Sequence, residues 1–267
     1  MKKFFTILII IIALCFGCWI GYKSIGKAKI QNYVKPSRVF ITGNLHGKLG
    51  IDRLTEDNFI QQKELNMNDN LIVLGDFGLI WDEHIEDEIL LDDLDSKNYN
   101  ILFVDGSHEN FDLLNEYEVV EIYGGKAHKI RDNIYHLMRG EIYTIAGKQY
   151  MVFGGGESLD KDIRKQGVSY WNEEIPSKED WNNVRVNLNK YNNYVDYVLT
   201  YTPPSADLRI IGAELGTNLG KGNNISQNLQ LLSEGIKYKK WYHSYYHLDI
   251  EISRKHTNIY KAILEVK

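Results

Sequence analysis

Val39-Phe40-Ile41-Thr42-Gly43-Asn44-Leu45-His46-Gly47 joins a short β-type run to a polar block across a glycine. A continuous run of this length, without polar alternation, predicts a strand buried on both faces. The same arrangement recurs twice. Leu71-Ile72-Val73-Leu74 is followed by Gly75-Asp76-Phe77-Gly78, and Ile101-Leu102-Phe103-Val104 leads into Gly106-Ser107-His108-Glu109. Helix-like segments at about 50–65 and 83–97 separate the runs, the second acidic and Leu-rich. Strand–helix alternation predicts a parallel sheet in the first half. Ligands of such sheets gather beyond the carboxyl ends of the strands, where all three polar blocks fall.

The second half has a different rhythm. Ile134–Leu137, Glu141–Ile145 and Gln149–Phe153 follow one another closely, with Arg139-Gly140 and Gly147-Lys148 between them, which predicts antiparallel hairpins. Further strands are expected at Tyr197–Thr200 and around Lys240–Tyr242. A closing hairpin is expected from Leu248–Ile252 and Asn258–Leu264, and a glycine- and asparagine-rich loop at 212–228. Two more polar blocks lie here, Tyr201-Thr202-Pro203-Pro204 and Ser244-Tyr245-Tyr246-His247.

A chain of 267 residues can bury a large core, and 43% hydrophobic content is ordinary for a globular protein. Five of the 31 Lys and Arg lie in residues 1–30, which hold no acid, so the remainder is more acidic than the net charge of −5 suggests. That balance argues against a nucleic-acid surface, which needs a basic patch. Cys15 and Cys18 are the only cysteines, so residues 37–267 have neither a disulfide nor a thiolate metal site. Lys2-Lys3 precede a charge-free run from Phe4 to Tyr22, about as long as the roughly 20 apolar residues of a membrane-spanning helix. Residues 1–22 are therefore expected to be a single-pass membrane anchor or signal segment, 23–36 a tether, and 37–267 the folded domain. Lys2 and Lys3 on one flank, and Lys23, Lys27 and Lys29 on the other, leave the side of the membrane open.

The five blocks, in order, resemble the calcineurin-like metallophosphoesterase family. Its pattern runs Gly-Asp-x-His-Gly, Gly-Asp, Gly-Asn-His-Glu, a His before a late Thr-Pro-Pro, and Gly-His-x-His. The resemblance covers about residues 38–250 and implies an α/β fold of two packed mixed β-sheets flanked by helices, a four-layer sandwich. It also implies a site for two divalent ions roughly 4 Å apart that clamp a phosphate and lower the pKa of bound water. Carried over by position, Asp76 matches the shared carboxylate, His46 and His247 match ligands of the first ion, and His108 matches the imidazole near the leaving group, a catalytic acid or electrostatic stabiliser.

Four positions depart from that pattern. Asn44 stands at a carboxylate position, where its amide oxygen is a weak, uncharged ligand. Ser107 stands at the Asn position. Tyr201 and Tyr245 stand at two imidazole positions, and a neutral phenol with a pKa near 10 is a poor ligand. The losses concentrate on the second ion. The expected cofactor is one divalent metal, Mn²⁺, Fe²⁺ or Zn²⁺, at His46, Asp76 and His247 with Asn44, and not a full dinuclear pair. His243 shares parity with Tyr245 and His247 on an extended segment and is an alternative ligand if the backbone shifts. Asp160 with Arg164 reads as a local ion pair, Gly154-Gly155-Gly156 as a tight turn, and Trp171, Trp181 and Trp241 as packing.

Two functions follow. One is a catalytically impaired or inactive, membrane-attached binding or regulatory module for a phosphorylated small molecule or protein. The other is a phosphoester hydrolase with a single-metal or altered site. Loss of ligands removes both charge stabilisation and nucleophile generation, which favours the first.

Overall fold

A computed structural model describes residues 36–82 and 84–267. The expected membrane segment and its tether fall outside these residues. Among the described residues no helix is long and apolar enough to cross a membrane.

The three apolar runs form β1 (Val39–Thr42), β2 (Asn70–Leu74) and β3 (Asn100–Val104), parallel and buried at every position. Side chains alternate across a strand, and here both faces have a partner. Phe40, Leu71, Val73, Ile101 and Phe103 pack into one core with Leu54, Phe59, Leu91 and Leu94. Ile41, Ile72, Leu74, Leu102 and Val104 pack into a second core with Tyr143, Tyr150, Val152 and Leu199. The second core lies between two sheets.

The first sheet adds β4 (Val119–Ile122), β5 (Gly125–Lys129), β6 (Ile134–Leu137) and β13 (Leu264–Val266), in the order β13-β1-β2-β3-β6-β5-β4. The second holds β7 (Ile142–Ile145), β8 (Lys148–Phe153), β9 (Tyr197–Thr200), β10 (Lys240–His243), β11 (Ile250–Glu251) and β12 (His256–Asn258), in the order β11-β12-β10-β9-β8-β7. Both are mixed. Helix α1 (Ile85–Asp95) and the single turn α2 (Phe111–Leu114) cover the first sheet. Helices α3 (Lys178–Lys190) and α5 (Asn224–Gly235) cover the second through Val184, Leu188, Ile225 and Leu229. Helix α4 (Leu208–Glu214) contributes Leu208 and Ile211 to a satellite core. The protein is thus an α/β fold of two mixed sheets flanked by helices, the architecture that the resemblance implies.

Several local expectations change. The helix expected at 50–65 is two 3₁₀ segments, Ile51–Leu54 and Ile60–Glu64. Thr55 is extended between them, and its hydroxyl and the Asn58 amide both bond the Asp52 carbonyl, which competes with helical bonding. Ile134–Leu137 does not form a hairpin with the following strand. It pairs parallel to β3 and antiparallel to β5, and the chain changes sheets at Met138–Glu141. The β4–β5 hairpin is an additional element, turned by Tyr123-Gly124 at positive φ. The β7–β8 hairpin is as expected. The loop expected at 212–228 is shorter, because α4 runs to Glu214 and Asn223 caps α5 by accepting from Ser226 N. The closing hairpin is only β11–β12, and the last strand returns to the first sheet, antiparallel to β1, where Arg38 grips Glu265 at 2.8 and 2.9 Å.

Candidate metal centre

The site assembles at the carboxyl ends of β1, β2, β3, β9 and β10, from all five polar blocks. Asp76 lies two residues beyond β2, and its carbonyl accepts from Leu45 N at 3.1 Å and His46 N at 2.7 Å, fastening two strand-end loops together. Ser244 N and Tyr245 N both bond the Tyr201 carbonyl at 3.1 Å, and Ser244 Oγ donates to the Leu74 carbonyl, which ties the β10 loop to β9 and β2.

His46, Asp76 and His247 all adopt positive φ, at 53°, 38° and 51°. Left-handed backbone costs a non-glycine residue roughly 1–2 kcal/mol. The surrounding loop contacts hold three such residues in the same small volume, as strained functional sites commonly do.

Their side chains converge. His46 Nε2 lies 3.1 Å from His247 Nε2 and 3.7 Å from Asp76 Oδ2. One ligand atom from each residue lies within 4.8 Å of the others, so the group could hold one metal ion. A tetrahedral ion with bonds of about 2.0–2.1 Å separates its ligand atoms by roughly 3.3 Å, close to the spacing here. Protonation states also suit a cation. Burial lowers the pKa of His46 and of His247, which favours neutral imidazoles. Asp76 is fully buried. Burial alone would raise its pKa, but the hydrogen bond and charge of His108, with His46 and Tyr201, bring it below the ordinary carboxylate value.

Asn44 is also buried. Its Nδ2 donates to Asp76 Oδ2 at 3.2 Å and lies 3.1 Å from His247 Nε2. Its Oδ1 has no partner. The amide nitrogen thus faces two of the three ligand groups. Rotation of the amide by 180° would present the unpartnered oxygen to them, an arrangement that a cation at this place would favour.

Asp76 Oδ2, the oxygen nearest His46 and Asn44, also takes a hydrogen bond from a phenol. Tyr201 Oη donates to Asp76 Oδ2 at 2.7 Å and sits 3.0 Å from Ser107 Oγ. Burial, with the Asp76 charge beside it, pushes the phenol pKa well above its usual value, so it stays protonated. A Cβ at Gly75 or Gly156 would overlap the Tyr201 ring. The ring therefore lies in a slot that two glycines provide. Tyr245 points elsewhere, donating to the Glu157 carbonyl at 2.7 Å while its ring meets Tyr201 edge-on at 5.1 Å.

His108 completes the inner group. Its backbone N donates to Asp76 Oδ1 at 2.8 Å, and its Nδ1 lies 3.0 Å from Ser107 Oγ and 3.4 Å from Asp76 Oδ2. Burial opposes its protonation, but the hydrogen bond and charge of Asp76 prevail and raise its pKa. Glu109 is buried and accepts from Phe77 N at 2.7 Å, so it fixes the Asp76 loop. Burial, then the Asp76 charge, raises its pKa well above the ordinary value.

No family model and no curated protein matches this chain.

His243 is not a substitute ligand. It is buried, with Nδ1 2.8 Å from Asn258 Oδ1 and Nε2 3.0 Å from Asp207 Oδ2. The parity argument fails because the chain leaves strand geometry at Ser244. Asp160 and Arg164 do pair locally, at 3.4 Å, and Trp171 and Trp241 are buried. Sequence reasoning missed Tyr260, whose ring stacks on His247 at 4.6 Å, and Arg53, which donates to the Tyr260 and Asn44 carbonyls. No motif marks either residue, and only the return of the chain to β1 brings Tyr260 to the site.

Proposed function

We propose that the protein is a degenerate relative of the calcineurin-like metallophosphoesterases, attached to a membrane through the Phe4–Tyr22 run, and that it binds a phosphorylated small molecule or protein as a regulatory module. One observation carries this reading. Tyr201 and Ser107 stand at chain positions where the family pattern calls for second-metal ligands, and the phenol donates to the carboxylate that both ions would share in that pattern. Asp76 then has hydrogen-bond donors on both oxygens, from His108 N, Tyr201 and Asn44. A buried carboxylate left without such partners would be costly.

A second reading rests on the convergence of His46, Asp76 and His247. Here the protein is a phosphoester hydrolase that takes one Zn²⁺, Mn²⁺ or Fe²⁺. When bound, the ion would polarise a phosphoryl oxygen and orient the substrate. The protein would supply two neutral imidazoles, one buried carboxylate, and His108 as a proton donor to the leaving oxygen.

Metal content and turnover separate the two. The purified full-length chain is analysed for bound metal and assayed with 4-nitrophenyl phosphate and bis(4-nitrophenyl) phosphate in added Mn²⁺. The module reading expects no metal-dependent turnover. Turnover that requires metal and disappears in Asp76→Ala would overturn it and establish the hydrolase.

A further inference from the structure

A groove of about 650 Å³ runs between α3 and α5, on the outer face of the second sheet and separate from the metal centre. Its lining is apolar at Trp181, Val184, Leu188 and Leu232. Val184 and Leu188 are anchored in the core beneath, and Trp181 packs on Phe153 at 4.2 Å. Leu231 also lines the groove and is 66% exposed, a large apolar side chain with little of its surface covered. The floor is therefore rigid, and the apolar lining extends outward to Leu231.

The charge of the lining is one-sided. Lys178 and Arg185 line the groove and no Asp or Glu does, in a chain of net charge −5. Neither cation has a hydrogen-bond or ion-pair partner among the described residues. The nearby acid Glu234 accepts from Gln230 at 2.8 Å along α5. Asn189, Asn193 and Asn228 add side-chain amides to the lining.

We infer that this groove docks an amphipathic helix of a partner protein, with apolar anchors on one face and acidic residues at its edge. Two helices flanking an apolar floor suit helix-in-groove recognition, in which side chains at i, i+4 and i+7 enter the groove. Lys178 and Arg185 select for acidic flanks by charge complementarity.

The test uses two fluorescein-labelled synthetic helices with the full-length chain. Both carry Leu at i, i+4 and i+7; one is flanked by Glu and the other by Lys at the same positions. Fluorescence anisotropy should show saturable binding of the Glu peptide, at least tenfold tighter than the Lys peptide and weakened by salt. Leu231→Glu and Arg185→Glu each alter an exposed side chain, so melting temperature should hold while Glu-peptide binding falls at least tenfold. Equal binding of the two peptides, indifference to both variants, or no binding of the Glu peptide would overturn the inference. Saturable dodecanoate binding that the same variants abolish, with neither peptide bound, would overturn it in favour of an acyl ligand.

Discussion

The His46–His247 pair and the Tyr201–Ser107 pair meet at the same Asp76 carboxylate with different chemistry. His46 Nε2 and His247 Nε2 lie 3.1 Å apart, and with Asp76 they form a group that could hold a cation. Tyr201, by contrast, donates to the carboxylate at 2.7 Å, and Ser107 backs the phenol at 3.0 Å. The first pair offers ligand atoms for an ion, and the second offers a proton donor. The difference shows how one buried carboxylate can meet both kinds of partner, since a hydroxyl supplies a proton where an ion would supply charge.

The largest effect should come from installing the ligands of the family pattern. Asn44→Asp, Ser107→Asn, Tyr201→His and Tyr245→His, combined, should raise metal content to two ions per chain, measured by elemental analysis of the folded protein. Failure to bind a second ion would show that the loops, and not only the ligands, have diverged. Next is Tyr201→Phe, which keeps the ring in its glycine slot and removes only the donor. Loss of this buried, charge-assisted bond should cost about 1.5–3 kcal/mol in denaturant titration. Added Zn²⁺ should recover more stability in this variant than in the parent. Equal Zn²⁺ responses would break the argument that the phenol stands in for a cation.

A third prediction concerns a control region away from the site. Burial, with His136 beside it, lowers the His128 pKa to about 4, from about 6.5 in the unfolded chain. Between these values the unfolded state binds more protons, so stability is present above about pH 6.5 and is lost as pH falls towards 4. His128→Gln should flatten that part of the stability–pH curve without altering metal content. An unchanged slope would mean that another group controls acid sensitivity there. The smallest effect belongs to Tyr245→Phe, which removes the bond to the Glu157 carbonyl. It should cost about 0.5–1.5 kcal/mol and leave metal affinity untouched. A clear change in metal affinity would place Tyr245 in the metal centre after all.

Local chemistry was legible before the chain folded. Uninterrupted apolar runs at Val39–Thr42, Leu71–Leu74 and Ile101–Val104 predicted doubly covered strands because only burial on both faces accounts for the missing alternation. Glycine after each run placed Asn44, Asp76, Ser107 and His108 at strand ends, and side-chain type alone separated good metal ligands from poor ones. Sheet membership was decided elsewhere. Ile134–Leu137 has the same residues whether it pairs with β3 or with the strand after it, and sequence spacing favoured the wrong partner.

Tertiary structure also separated residues that the sequence treats alike. Tyr201 and Tyr245 are both tyrosines at the start of a polar block or within one, yet Tyr201 turns to Asp76 and Tyr245 to Glu157. His243 and His247 are four residues apart, yet one is held by Asp207 while the other reaches His46. The sequence determined which chemical groups were available at each strand end. Where each group pointed depended on turns fixed by long-range bonds, such as Ser244 to Leu74 and Asp76 to His46. Those contacts exist only once both sheets are in place, so no local pattern encodes them.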